Sequence, residues 1–198
     1  MDYNHTMKLI FATNNQHKVE EIKSVLPSGF FIITLKEAGI YIDIPEPYNT
    51  IQENAEEKAS KIFELVKTNC FSEDTGLEVY SLNNEPGVKS ARYAGEEKSF
   101  EKNIEKLLLK LKDHEDRTAR FRTVICLILD GIKLFFDGTC EGEIITQPRG
   151  KKGFGYDSVF KPIGVAKTFA EMTTEEKNRY SHRSKAVAKL VTFLNHLP

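Results

Sequence analysis

The dipeptide Asp130-Gly131 separates two long β-type stretches and constrains the fold more than any other feature of the sequence. The stretches cover residues 119–129 and 132–139 and are rich in Val, Ile, Leu, Phe and Thr. Asp-Gly between two such stretches is typical of a two-residue β-hairpin, because both turn positions need a positive φ that these residues tolerate. The pattern therefore predicts an antiparallel pair of strands.

The N-terminal part of the chain shows a different arrangement, in which strands and helices alternate. Residues 8–12 and 30–35 are short apolar runs of strand type, and Val19 and Ile22 recur between them at helical spacing with Val25 and Leu26. Strands joined by helices favour a parallel sheet, whereas the hairpin is antiparallel. Together they predict an α/β fold with a mixed sheet.

Further segments follow from capping and periodicity. Thr50 and Glu53 form a capping box that opens a helix of about fifteen residues, with Ala55, Ala59, Ile62 and Val66 as its buried stripe. Residues 40–49 and 148–157 are expected to be loops, and residues 72–76 an acidic turn between strands. We also predict strands at 77–82 and 143–146, an amphipathic helix at 98–112 with Ile104, Leu107, Leu108 and Leu111 inward, and a C-terminal helix marked by Val187, Leu190, Val191 and Leu194.

Composition limits the partners of the protein. The 28 basic and 29 acidic side chains give a formal net charge of −1, so bulk charge would hold the chain neither to nucleic acid nor to an anionic membrane. The three cysteines form no CxxC pair, which favours a reducing compartment, and no apolar run is long enough to span a membrane. The N-terminus also lacks the apolar core of a signal peptide, so we expect a cytoplasmic protein.

The length of 198 residues fits one domain, which we place over residues 7–198. Residues 1–6 are polar and are expected to form a disordered N-terminal extension, with Met7 as a candidate start.

A polar turn between the first strand and helix is a candidate anion site. Thr13-Asn14-Asn15-Gln16-His17-Lys18 lies where backbone N–H groups at a helix start attract anions, and Lys18 lies one turn into the helix. Lys58 borders the buried stripe of its helix rather than the outer face. An ordinary polar turn and a lysine that extends to water would produce the same pattern, so both interpretations stay open.

Three acidic residues are candidates for metal binding or proton transfer. Glu46 lies in a loop between prolines, and Glu73-Asp74 follows an apolar run. A carboxylate at the end of a strand can bind Mg²⁺ or accept a proton from water, and a second acid nearby raises the pKa of the first. A solvated turn is the alternative.

Two later segments combine groups suited to a planar base. Gly150 to Asp157 contains three glycines that permit close approach, and the rings of Phe154 and Tyr156 offer stacking faces. Ser181-His182-Arg183 opens the last helix, where positive charge opposes the helix dipole. A ligand that needs hydrogen-bond donors would account for that placement, although a plain surface pair is the alternative.

Six stretches in this order and spacing resemble the inosine triphosphate pyrophosphatase family, which hydrolyses ITP, dITP and XTP. The similarity extends from Met7 to near the C-terminus and rests on FATNNQHKVEEI, ENAEEKA, EDTGLEV, PGVKSARYAG, FGYDSVF and EEKNRYSHRSKA. The resemblance implies an elongated, two-lobed fold whose mixed, strongly twisted central sheet is flanked by helices, and a homodimer. It also implies a nucleoside triphosphate pyrophosphohydrolase with Mg²⁺ as cofactor that removes deaminated purine nucleotides from the nucleotide pool.

The resemblance also implies a role for each candidate residue. Asp74 would be the catalytic base, helped by Lys18 and Lys58 as clamps on the triphosphate. Glu46 and Asp74 would bind the metal, with Glu73 as a further candidate. The residues implied in substrate binding are Thr13, Asn14, Asn15, Gln16, His17 and Lys18 for the triphosphate, Thr75 for the substrate, Phe154, Gly155, Tyr156 and Asp157 beside the base, and Lys177, His182 and Arg183 at its 6-oxo edge.

The chain departs from the family pattern at two of these positions. Asn14 stands where the family often has glycine, and we expect the turn to persist because Asn tolerates left-handed backbone geometry. Glu73 stands where the family often has Asp. Two other functions remain open: a Maf-like pyrophosphatase for other modified or pyrimidine triphosphates, and a catalytically silent nucleotide-binding protein.

Overall fold

Helices and strands alternate through most of the computed structural model, which describes residues 7–197. The helices are α1 (Gln16–Lys23), α2 (Ile51–Val66), α3 (Phe100–Lys110), α4 (Thr174–Asn178) and α5 (His182–Asn195). The strands are β1 (Met7–Phe11), β2 (Phe30–Thr34), β3 (Cys70–Val79), β4 (Pro86–Gly87), β5 (Thr118–Leu129), β6 (Ile132–Ile144) and β7 (Phe160–Pro162).

These strands form a mixed sheet in the order β2-β1-β3-β5-β6-β7, with β4 paired to β3. β1 is parallel to both β2 and β3, whereas β3–β4 and β6–β7 are antiparallel. β5 and β6 are joined by Asp130 and Gly131, whose φ angles of 50° and 84° are those that a tight hairpin turn needs. The predicted α/β fold with a mixed sheet and its hairpin are confirmed.

The chain divides into two compact units, each with its own apolar core. The first unit comprises the described residues up to 74, residues 124–137 and those from 184 onward; the second comprises residues 75–123 and 138–183. The core of the first contains Leu9, Phe11, Val19, Ile22, Phe71, Ile125, Leu127, Ala186, Val187, Leu190 and Leu194. The core of the second contains Leu77, Val79, Tyr93, Leu107, Leu111, Ala119, Phe121, Cys140, Ile144, Tyr156, Val159, Phe160, Phe169 and Met172. The single domain over 7–198 stays a prediction, and the expected disorder of residues 1–6 lies outside the described residues.

The acidic segment 72–76 is not a turn, which corrects the sequence-based prediction. It lies in the middle of β3, which continues from Cys70 to Val79, and the strand predicted at 77–82 gives way to a 3-10 turn at Tyr80–Leu82. The pairing of β1 with β3 stops at Phe11 and Phe71. Residues 72–76 therefore belong to the part of β3 beyond the last residue of β1.

The other predicted elements differ mainly at their ends. Thr50 caps α2 by accepting from the Glu53 N–H over 3.1 Å, and Val66 is only half-buried. The segment predicted as a separate strand at 143–146 is the end of β6, and the helix predicted at 98–112 is α3, capped by Ser99. The positive-φ non-glycine residues within 7–197 are Lys67, Asn83, Asn84, Lys98 and Asp130, so the turn at Asn14 does not use the left-handed conformation expected for it.

Candidate active site

Glu73 and Asp74 lie on opposite faces of β3, because successive side chains of a strand point to opposite faces. On one face, the Cys70 thiol and the Ser72 hydroxyl donate to carbonyls of Ala59 and Ala55 in α2. Asp74 continues this face, and its Oδ1 lies 2.9 Å from Lys58 Nζ on the same helix. Phe71 and Glu73 occupy the other face, where Phe71 stacks on Phe11 with ring centroids 4.5 Å apart.

Lys58 joins two carboxylates in the first unit. Its ammonium lies 2.6 Å from Glu46 Oε1 and 2.9 Å from Asp74 Oδ1, with Lys58 and Asp74 only 6% and 5% exposed. Burial acts to lower the pKa of Lys58, but the charges of Asp74 and Glu46 outweigh it and raise that pKa, so the lysine remains an ammonium. The alternative that the Lys58 side chain extends into water is therefore excluded.

Burial also sets the pKa of Asp74. Loss of hydration raises the pKa of this carboxyl, Lys58 and Lys18 act in the opposite direction, and Glu46 raises it further. The sequence-based hypothesis assigned the last effect to Glu73. The structure assigns it to Glu46, since Glu73 points to the opposite face of the strand.

Asparagine side chains hold the loop that carries Glu46. The buried Asn54 of α2 accepts from the Tyr48 N–H and donates to the Tyr48 carbonyl, both over 3.0 Å. Asn14 donates to the Ile42 carbonyl over 3.0 Å, so the 13–18 turn is bound to the same loop. Sequence reasoning missed Asn54, although a polar side chain on the buried stripe of α2 was a usable signal.

The turn before α1 is built by its own side chains. Asn15 caps the helix by accepting from the Lys18 N–H over 3.3 Å, and the Asn15 N–H is bound to Thr13 Oγ1 over 3.2 Å. Lys18 Nζ lies 3.1 Å from Glu73 Oε1, whose side chain is fully buried. Gln16 is bound to Glu20 of its own helix, and Gln16 and His17 are both exposed.

A second buried ion pair lies in the second unit. Asp157 Oδ2 lies 2.6 Å from Lys177 Nζ and accepts from the Phe154 N–H over 3.0 Å. A side chain at Gly153, where φ is 75°, would collide with that carboxylate. Lys177 Nζ in turn stands 5.4 Å from the centroid of the Phe154 ring, within cation–π range. The glycine, the acid and the lysine together fix the position of the aromatic ring.

Arg183 and His182 begin α5 as buried residues, each only 2% exposed. Arg183 donates to Thr75 Oγ1 over 3.2 Å, and its guanidinium carbon lies 5.8 Å from the centroid of Phe154. The His182 ring stacks on Phe121 with centroids 4.6 Å apart. The contacts thus bring together Thr75, Phe154, Asp157, Lys177 and Arg183 in the second unit.

Tyr156 is placed differently from the expectation. Its ring belongs to the apolar core of the second unit and is 3% exposed, and its hydroxyl donates to the Ser90 carbonyl over 2.9 Å. Burial raises the pKa of this phenol. A stacking face for a planar ligand therefore falls to Phe154, while Gly155 supplies a positive φ of 60° in the same turn.

The carboxylates of this site suit a metal ion whose other ligands are phosphate oxygens and water. Within residues 7–197, no group of three or more His, Cys, Asp and Glu side chains is placed to hold a metal ion. Mg²⁺ needs only one or two protein carboxylates when phosphates and waters complete its shell, and Glu46 with Asp74 meets that requirement. No helix in this part of the chain has the length and apolar character of a membrane span.

Comparison with known proteins places these features in a family. The model of the Ham1 family matches residues 9–193. The dITP/XTP pyrophosphatase of Christiangramia forsetii is 50% identical over 189 residues, which cover 96% of this chain and 100% of the relative. The solved HAM1 protein of Coxiella burnetii superposes with a TM-score of 0.89 at 36% identity, over 96% of this chain and 100% of the other. The Staphylococcus aureus Ham1 protein gives 0.86 at 40% identity, over 96% and 98%.

Proposed function

The chain belongs to the Ham1 family, and we propose that it hydrolyses ITP, dITP and XTP to the nucleoside monophosphate and pyrophosphate. The enzyme is thus a hydrolase of nucleotide metabolism that removes deaminated purine nucleotides from the nucleotide pool. Relatives that bear the name dITP/XTP pyrophosphatase and match nearly the whole chain support this assignment.

The Glu46–Lys58–Asp74 triplet, in which Lys58 and Asp74 are buried, carries the mechanistic part of the proposal. A base must accept a proton near neutral pH, and burial raises the pKa of Asp74 towards that range. Lys58 holds the carboxylate in place over 2.9 Å. Asp74 then takes the proton of a water that attacks the α-phosphorus, and pyrophosphate leaves.

The charge of this cluster supports a divalent cation, which we propose to be Mg²⁺. Lys18 and Lys58 bring two positive charges against the three carboxylates of Glu46, Glu73 and Asp74, a sum of −1. A triphosphate carries about four negative charges, so two lysines alone would bind it poorly. A metal held by Glu46 and Asp74 would neutralise the phosphates and polarise the bond to be cleaved.

Lys18 has a separate role in the proposal. The Lys18 side chain is 14% exposed while the Glu73 side chain bound to it is fully buried, so a ligand can reach Lys18 but not Glu73. The N–H groups at the start of α1 add donors for phosphate oxygens. We assign Lys18 to the triphosphate and Glu73 to the orientation of Lys18.

The residues around Phe154 are proposed to recognise the base. Hypoxanthine and xanthine carry an acceptor oxygen where adenine carries an amino group, and Arg183 and Lys177 present donors. Adenine would leave those donors unpaired, and rejection of this kind is strong. Phe154 offers its ring to the face of the base.

A substrate panel tests the function. The protein is incubated with Mg²⁺ and ITP, dITP, XTP, ATP, GTP, dUTP or 5-methyl-UTP, and pyrophosphate and orthophosphate are measured separately. We expect pyrophosphate from ITP, dITP and XTP, its loss with a chelator, and its return when Mg²⁺ is restored. Preference for the pyrimidine nucleotides would favour the Maf-like alternative, binding without turnover the silent one, and orthophosphate as first product would reject all three.

Location and assembly complete the proposal. We propose a homodimer in the cytoplasm, as the family resemblance implies. Light scattering during size-exclusion chromatography gives the mass, and a value near 22.6 kDa instead of twice that mass would refute the dimer.

A further inference from the structure

A threonine of β5 outside every recognised motif is bound to the residue that follows the candidate base. Thr123 Oγ1 lies 2.5 Å from Thr75 Oγ1 on the neighbouring strand β3, and Thr123 is 0% exposed. Arg183 donates to the same Thr75 oxygen over 3.2 Å. Thr123, Thr75 and Arg183 thus form one series of hydrogen bonds within the second unit.

Thr123 is the polar residue among the buried positions of β5, since Thr118, Arg120 and Arg122 are not buried. It directly precedes the five buried apolar residues 124–128. Valine has nearly the shape of threonine and suits a strand equally well, and it avoids the cost of burying a hydroxyl. The Thr123 hydroxyl therefore serves a purpose other than filling space.

We propose that Thr123 is a specificity-determining positioning residue, which orients the Thr75 hydroxyl so that Thr75 sets the Arg183 guanidinium for the oxo group of the base. The inference rests on the proposed function and assigns part of its base selectivity to a residue that touches no substrate.

The donors and acceptors that these three side chains possess decide which atom donates in each hydrogen bond. Arg183 can only donate, so Thr75 Oγ1 is the acceptor in their bond. When the Thr75 proton points to Thr123, both lone pairs of Thr75 Oγ1 are available to donors. The guanidinium is planar, so fixing one of its N–H groups fixes the direction of the others. Without Thr123, the Thr75 hydroxyl rotates and the remaining Arg183 donors lose their alignment with the base.

A pair of substitutions separates the hydroxyl of Thr123 from its packing. Thr123→Val keeps the shape and removes the hydroxyl; Thr123→Ser keeps the hydroxyl and removes a methyl group. We expect Thr123→Val to lower kcat/KM for ITP roughly fivefold, the effect of one hydrogen bond, with residual ATP turnover and Tm unchanged. We expect Thr123→Ser to retain the ITP/ATP ratio of the wild type although its Tm falls. Wild-type kinetics in Thr123→Val, or parallel losses of activity and Tm in both variants, would overturn the proposal.

A double mutant shows whether Thr123 acts through Thr75. If it does, Thr75→Val with Thr123→Val has the same kcat/KM for ITP as Thr75→Val alone, because the second change removes nothing further. If the double variant instead shows the product of the two single losses in kcat/KM, Thr123 acts independently of Thr75 and the proposal is refuted.

Binding of the product IMP makes the test independent of turnover. Titration calorimetry should give a roughly fivefold weaker Kd for IMP in Thr123→Val than in the wild type or Thr123→Ser. Tripolyphosphate, which lacks the base, should bind all three equally. A wild type that releases no pyrophosphate from ITP refutes the proposed function alone, whereas equal IMP affinity in the wild type and Thr123→Val, or no IMP binding, refutes the role of Thr123.

Discussion

Asp74 and Lys58 belong to the same ion triplet, but replacing them should affect different properties. Replacing Asp74 should lower turnover, whereas replacing Lys58 should lower stability. In Asp74→Asn, Lys58 still has Glu46 at 2.6 Å, so no buried charge is left alone. We expect the free energy of unfolding to change by less than about 1 kcal/mol, and turnover to fall by roughly 10²- to 10⁴-fold with loss of the base. The exposed Asp113→Asn serves as a matched control and should behave as the wild type in pyrophosphate release. Near-normal turnover in Asp74→Asn would exclude Asp74 as the base.

Lys58→Met instead leaves two carboxylates without their cation. Removing one partner of a buried ion pair costs about 3 kcal/mol at neutral pH. The pKa of Asp74 is already raised by burial, and it rises further without Lys58. A carboxyl with a raised folded-state pKa contributes full stability below its unfolded pKa and loses it as pH increases through the folded-state value. Urea unfolding should therefore show a deficit at pH 7 that shrinks towards about pH 4; a pH-independent deficit would contradict the ion-pair explanation.

Asn14 offers a prediction particular to this chain. Its amide donates to the Ile42 carbonyl in the loop that carries Glu46, and Asn14→Gly removes that bond while restoring the residue frequent in the family. We expect the Mg²⁺ concentration for half-maximal activity to rise roughly two- to fivefold with kcat nearly unchanged, since one exposed hydrogen bond is lost. Asn84→Gly, at another exposed asparagine, is the matched control. Identical Mg²⁺ dependence in Asn14→Gly and the wild type would show that the bond does not order the loop.

At the scale of elements, the turn at Gly153 links backbone geometry to the site. Alanine there adopts a φ of 75° and its Cβ meets Asp157 Oδ2, whereas at Gly131, with a φ of 84°, the added Cβ meets nothing within 4 Å. Both substitutions carry the strain of a left-handed residue, about 1–2 kcal/mol. We expect the larger loss of Tm in Gly153→Ala, because its Cβ also displaces the buried Asp157–Lys177 pair, and a KM for ITP raised roughly tenfold in that variant alone. Equal kinetics in the two variants would remove this turn from base recognition.

The elements predicted correctly are those whose signal is local. The hairpin follows from Asp130-Gly131, and α2 follows from the cap at Thr50 and the spacing of Ala55, Ala59 and Ile62. The turn predicted within β3 was wrong because Glu73, Asp74 and Gly76 are residue types that are depleted in strands. What retains this segment in the strand is tertiary: Ser72 is bound to a carbonyl of α2 and Asp74 to Lys58.

The candidate site shows the same difference between local signals, which the sequence carries, and tertiary contacts, which it does not. Lys18, Lys58 and Asp74 were named from the sequence because they lie in stretches that resemble the family, and Glu46 because it lies in a loop between prolines. Their pairing was not predicted, since it depends on which face of β3 each acid occupies. Thr123 was missed altogether, because its partner Thr75 is 48 residues away and is brought near only by the order of strands.

At the scale of the whole molecule, the two cores share three strands. β3, β5 and β6 each contribute to both: β3 provides Phe71 to the core of the first unit and Leu77 to that of the second, and β5 provides Ile125 and Phe121 in the same way. When one of these strands loses its packing in one core, the part of the same strand that packs in the other core is disturbed as well. We therefore expect both units to unfold in one cooperative transition.

The cysteines can test this expectation because they lie in both units. Cys70 and Cys126 are buried in the first unit and Cys140 in the second, and burial raises the pKa of the Cys70 and Cys126 thiols to about 12. A thiol reagent reacts with the thiolate, so native protein should resist labelling at neutral pH. Mass spectrometry of peptides after labelling in increasing urea should give the same midpoint for all three thiols. Variants that retain a single cysteine control for disulfide exchange, and a lower midpoint for Cys140 than for Cys70 would mean that the second unit opens on its own.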